Sequence, residues 1–131
     1  MESPLVWVIG ADHWPRAALR AELIERGYDA VGFAALEDAV AELVLAPRQR
    51  PRLIVFDLQD QTLHDRPLAT LFGAAMPIIA VAGAAEAAEA RIRALPWAAF
   101  LRRPLTLGAI ADAVGHLLPA GRRPDDQPSL S

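Results

Sequence analysis

Residues 51–58 read PRLIVFDL, and the fold follows from this stretch. Four consecutive apolar residues, Leu53, Ile54, Val55 and Phe56, stand between a proline–arginine pair and Asp57. A strand with one wet face alternates apolar and polar residues, whereas a run that is apolar at every position has both faces covered. Two covered faces place this segment at the centre of a parallel sheet with helices on either side. Asp57 closes the run at the carboxyl end of its strand, where open parallel sheets carry their sites.

Working outward, residues 5–9 (LVWVI) and 78–81 (IIAV, after Pro77) repeat the pattern, while 30–34 and 98–101 are weaker strands. Helical patterns fill the intervals. Residues 15–26 predict a helix, with Pro15 tolerable only in a first turn and Gly27 as its stop. Leu36, Ala39, Val40, Leu43 and Val44 fall on one stripe of a second, whose exit Pro47 and Pro51 punctuate. Residues 58–75 contain a polar loop and a connecting helix over 67–75. Residues 84–95 predict an alanine-rich helix with Glu89 and Arg93 at i, i+4, halted by Pro96. Thr106 caps a last helix whose Leu107, Ile110, Ala111, Val114, Leu117 and Leu118 share one face. Five such β/α units predict an α/β fold, a doubly wound five-stranded parallel sheet with helices on both faces. Residues 1–118 form its single domain. Residues 119–131, rich in Gly, Arg, Pro, Asp and Ser, read as a disordered tail or linker.

With 131 residues, 53% of them hydrophobic, the chain can bury a core without disulfides or metal, and it has no cysteine to form either a disulfide or a thiolate site. No segment has the pattern of a leader or of membrane-spanning length, so a cytoplasmic location is expected. All thirteen basic residues are arginine, and the net charge of −3 gives no overall drive towards nucleic acid or anionic lipid. Arginines do gather at Arg48, Arg50 and Arg52, at Arg102 and Arg103, and at Arg122 and Arg123, as solvated loop charges or local docking points for acidic partners. His13, His64 and His116 have no metal-ligand spacing. Trp14 and Trp97 are large for loop edges and fit either sheet-end caps or partner anchors. A dinucleotide site is excluded, because Gly10 stands alone without a glycine-rich turn.

Three segments resemble the response-regulator receiver (CheY-like) family: residues 21–28 (AELIERGY) the end of its first helix, 51–58 its central strand, and 100–105 (FLRRPL) its fifth strand and the following loop. The resemblance runs from Leu5 to Leu118 and implies a flavodoxin-like strand order of 2-1-3-4-5. It places the phosphoacceptor on Asp57, the acidic magnesium-binding pair on Gly10 and Ala11, and the hydroxyl after strand four on Ala82. The invariant lysine falls on Arg103 and the aromatic switch on Phe100. Gly10, Ala11 and Ala82 bring no side-chain oxygen. Arg103 keeps the positive charge in a longer, planar form that is not equivalent to lysine. Asp12 is the nearby carboxylate, one residue past the pair.

Magnesium wants several hard oxygens in octahedral geometry, and one formal negative charge is a thin donor set for a divalent ion. The expectation is therefore an atypical receiver without enzymatic activity or cofactor, acting by protein contact, its Asp57 paired with Arg103 across the strand ends. Its partners would be signalling proteins such as a histidine kinase or an output domain, or a second copy in a homodimer, and neither nucleic acid nor membrane. Two alternatives stand beside it. One is a phosphorylatable receiver using Asp57, with magnesium held by Asp12 and water. The other is a small-molecule-binding α/β domain using the open strand ends.

Overall fold

The computed structural model describes residues 3–120. Five strands, β1 (Leu5–Ile9), β2 (Asp29–Phe33), β3 (Leu53–Asp57), β4 (Ile78–Ala82) and β5 (Ala99–Arg102), form one parallel sheet in the order β2-β1-β3-β4-β5. The flavodoxin-like doubly wound sheet expected from the sequence is therefore found. The helices are α1 (His13–Glu25), α2 (Leu36–Leu45), α3 (Asp65–Gly73), α4 (Ala84–Ala88), α5 (Ala90–Arg93) and α6 (Leu107–Leu117), with a 3-10 turn at Pro47–Gln49. None is long and apolar enough to cross a membrane.

The pleat divides the core in two. Val6, Val8, Leu53, Val55, Ile79 and Val81 point to one face, where Leu19 and Leu23 of α1 and Ile110, Ala111 and Val114 of α6 cover them. Trp7, Ile9, Ile54, Phe56, Ile78 and Ala80 point to the other, under α2, α3 and Ile92 of α5. Strand β3 is buried along Leu53–Phe56, as its unbroken apolar run requires.

Several predicted boundaries are corrected. Helix α1 begins at His13, so Pro15 is its third residue, still within the turn whose N–H groups have no intrahelical acceptor. Likewise α3 begins at Asp65 rather than at Pro67, and it stops at Gly73 because Ala75 takes a left-handed φ of 64°. Strands β2 and β5 are each displaced by one residue from the sequence reading, and β3 and β4 each extend one residue further. The helix expected over 84–95 is two fragments, since Glu89 is extended (ψ 112°) between α4 and α5. Among the described residues no Glu89–Arg93 ion pair forms, although the Arg93 N–H donates to the Glu89 carbonyl at 3.1 Å. The expected tail from residue 119 lies, beyond Ala120, outside the described residues.

Gly27, with φ 98°, turns the chain after α1 into the buried Tyr28, whose hydroxyl donates to the Leu118 carbonyl at the end of α6. Burial raises the Tyr28 phenol above its usual value, against a smaller opposing effect of the Arg26 charge. A raised folded-state value means that the neutral phenol's stabilisation is complete below about pH 10 and is lost as pH rises through the folded value. Tyr28→Phe is expected to lower unfolding free energy by about 1 kcal/mol at neutral pH. It should also flatten the alkaline loss of stability. Chemical denaturation at neutral and alkaline pH measures both, and an unchanged alkaline slope would show that Tyr28 does not carry it.

Candidate functional site

The carboxyl ends of β1, β3, β4 and β5 converge because parallel strands share one direction. Hydrogen bonds carry the ladder to the rim: Leu58 N–H donates to the Val81 carbonyl at 2.9 Å and Arg103 N–H to the Ala82 carbonyl at 2.9 Å. Asp57, the last residue of β3, and Arg103, just past β5, are thereby set two strands apart with their side chains on the same rim.

Arg103 meets Asp57 as a two-pronged fork. Its Nη1 donates to Oδ1 at 2.9 Å and its Nη2 to Oδ2 at 2.6 Å. Oδ1 also accepts the Gln59 N–H at 3.1 Å. The side chains are 19% (Asp57) and 32% (Arg103) exposed, so water screens the pair only in part. The hydrogen bonding to Asp57 is the largest influence on the guanidinium and raises its affinity for the proton; desolvation opposes it, and the charges of Asp57 and Glu86 reinforce it. The Arg103–Pro104 peptide is cis.

The remaining expected positions lie as follows. Gly10 is buried after β1, and a Cβ there would lie 3.6 Å from the Cβ of Asp57, an ordinary contact. Ala11 is exposed. Asp12 is exposed at the start of α1, and its side chain makes no capping hydrogen bond. Ala82 is fully buried at the end of β4. Phe100 is half-buried and packs against the core face that holds Ala82 and Ile92. Arg102 points to solvent, opposite to Arg103, as strand alternation requires. Trp97 caps the sheet rather than standing free: its ring meets Phe56 and Phe72 edge-on, and its indole N–H donates to the Ile92 carbonyl at 2.7 Å. Trp14 is 77% exposed beside His13.

Two residues of the rim escape a reading of the sequence. Arg16 donates from Nη1 to the Gly10 carbonyl at 2.6 Å. Its stem crosses β2 at Gly32, where a Cβ would come within 3.1 Å of the Arg16 Cδ. Glu86 accepts the Gly83 N–H at 2.9 Å and so closes the start of α4. Gly83 lacks the Ser or Thr side chain that marks a capping box, so this contact has no clear signal in the sequence. Arg16 bonds a main-chain carbonyl, which has no sequence signature.

A cavity of about 40 Å³ lies beneath the pair, between α1 and α6. Ligand pockets are commonly about 300–1,000 Å³, so this space does not take a cofactor. The donor set does not fit magnesium either. Both oxygens of Asp57 already accept from a guanidinium, and Gly10 and Ala11 supply no side-chain oxygen. Among the described residues no three His, Cys, Asp or Glu side chains gather as metal ligands.

Comparison with family models and with curated proteins gives no match. Solved structures do match. A response regulator receiver protein from Pseudomonas putida is 31% identical with a TM-score of 0.73, over 88% of this chain and 98% of its own. The chain belongs to the response regulator receiver family. A receiver protein from Burkholderia phymatum is 25% identical (TM-score 0.68, 88% of this chain and 94% of that one). A receiver domain from Clostridium thermocellum, at 13% identity, shares the fold with a TM-score of 0.73 over 88% of this chain and 94% of its own. The chain is thus a receiver domain of two-component signalling, a module whose surroundings are signalling partners such as kinases.

Within this receiver, a charge-assisted bidentate pair that is mostly sheltered should show coupling. Arg103→Ala is expected to lower stability by about 1–2 kcal/mol, leaving the Asp57 carboxylate without its main partner. A double-mutant cycle with Asp57→Ala, read by urea denaturation, should recover most of that loss as interaction energy. Strictly additive single effects would mean that the fork contributes nothing.

Proposed function

We propose that this receiver signals by protein contact without phosphorylation, with Asp57 held in a standing ion pair by Arg103. The supporting observation is the fork itself, in which each carboxylate oxygen accepts a guanidinium N–H. A carboxylate that is to attack phosphorus needs an oxygen free to approach a donor, together with cationic neutralisation of the transferred group. Here the cation already neutralises the nucleophile, and no acidic pair or hydroxyl stands at Gly10, Ala11 or Ala82 to receive the incoming group. This makes the receiver atypical. It performs no catalysis, needs no magnesium, and presents one fixed arrangement of its strand ends to a signalling partner, whether a kinase, an output domain or a second copy.

Phosphoryl transfer to Asp57 would require Arg103 to release both hydrogen bonds and Asp12 to leave its exposed place at the start of α1. Ligand binding at the strand ends would require more room than about 40 Å³.

Incubation with phosphoramidate and magnesium, followed by intact-mass measurement, should give no phosphate adduct. Beryllofluoride should leave tryptophan emission unchanged. The triple variant Gly10→Asp, Ala11→Asp, Arg103→Lys should gain an adduct at Asp57, because a Cβ at Gly10 meets only ordinary contacts. A stoichiometric adduct on the natural protein, abolished by Asp57→Asn, would reverse the proposal.

A further inference from the structure

At the opposite end of the sheet from Asp57, the amino ends of β1 and β2 border an open groove of about 890 Å³. Arg48, Arg50 and Arg52 line one wall and Ile24 and Val31 another. All three arginines are exposed, and among the described residues none of their side chains has a hydrogen-bond or ion-pair partner. By contrast Arg26, Arg91 and Arg103 meet carboxylates, and Arg16 and Arg20 meet carbonyls. The backbone that carries the trio is held in place. Pro47–Gln49 is a 3-10 turn, Pro51 is buried, and the Arg52 N–H donates to the Leu5 carbonyl at 2.8 Å.

We infer that this groove binds an acidic segment of a partner protein in which carboxylates alternate with aliphatic side chains. Charge complementarity is the first ground: among the described residues three arginines stand against one carboxylate, Asp29, on a chain whose net charge is −3, so the positive charge is local. The apolar wall is the second. Ile24 is 51% and Val31 41% exposed, which offers aliphatic contact beside the guanidinium groups. Among the described residues the groove has no aromatic side chain on which a base would stack, which favours a peptide over nucleic acid.

The partner docks through side chains, not by adding a strand. Asp29 N–H donates to Pro4 and the Phe33 carbonyl accepts from Gly10, so these residues face β1 and Ala30 faces the free edge. The outward carbonyl of Ala30 is already taken by Arg20 Nε at 3.1 Å. This site is independent of Asp57, and its test does not touch the carboxyl ends of the strands.

The experiment is fluorescence anisotropy on the full chain with a fluorescein-labelled peptide of alternating glutamate and leucine. Its lysine–leucine counterpart and a labelled oligothymidylate serve as comparisons. The glutamate peptide should bind, and binding should weaken as salt rises from about 50 to 300 mM. Arg50→Ala with Arg52→Ala should weaken it about tenfold, equivalent to about 1.4 kcal/mol. The charge-matched pair Arg66→Ala with Arg93→Ala should leave it unchanged. Ile24→Ser with Val31→Ser should weaken it while retaining every charge. Unchanged thermal melting of each variant shows that it is folded. Absence of glutamate-peptide binding, equal losses in the two arginine pairs, indifference to the Ile24 and Val31 changes, or tighter binding of oligothymidylate would each overturn the inference.

Discussion

A guanidinium forked onto a carboxylate at the mouth of a parallel sheet satisfies three demands together. It neutralises a charge that the sheet interior cannot solvate, it fills the carboxylate's strongest acceptor directions, and it ties the third strand to the fifth. Its geometry depends on the backbone more than on the side chains. Asp57 and Arg103 are 46 positions apart in sequence, and they meet because β4 holds β3 on one side and β5 on the other in fixed register. Everything proposed for the strand ends rests on that convergence.

The two faces of the sheet support it differently. Helices α1 and α6 cover one face with branched aliphatic side chains on both sides of the contact. The other face is filled in part by aromatic rings, with Phe56 and Phe72 meeting Trp97 edge-on. Edge-to-face packing adds about 0.5–1.5 kcal/mol beyond buried area. The loop before β5 is thus anchored at the amino end of that strand, the end away from Arg103. The aromatic Phe100 rests on the same face, beside a fully buried Ala82.

The sheet was legible where the sequence is unambiguous. Apolar runs at Leu5–Ile9, Leu53–Phe56 and Ile78–Ala82 have no helical period and no polar face, so their burial follows directly. The α4–α5 region was misread because alanine favours a helix wherever it occurs, while packing decides whether the helix continues. Residues 84–91 offer no bulky apolar side chain, and the fragments are fixed instead by Glu86 on Gly83 and by the burial of Ile92. Prolines 15 and 67 shifted two helix starts because a first turn admits proline at more than one position. Asp57 and Arg103 could be paired from the sequence because the receiver resemblance puts Arg103 at the lysine position across from Asp57. Arg16 and Glu86 could not, since each binds a main-chain group that any residue would supply.

The extended residue Glu89 leaves α4 with five residues and α5 with four. Helices this short do not hold their hydrogen bonds alone in water; isolated helices need on the order of 12–15 residues. Both fragments therefore exist by leave of their neighbours: the Ile92 side chain inserted in the core, its carbonyl gripped by Trp97, and Arg91 reaching Leu63 and Asp65. Amide protons of this segment would exchange through local openings that leave the sheet intact. These two short fragments thus stand beside the Asp57–Arg103 clamp, and their opening would leave that pair's strands in place.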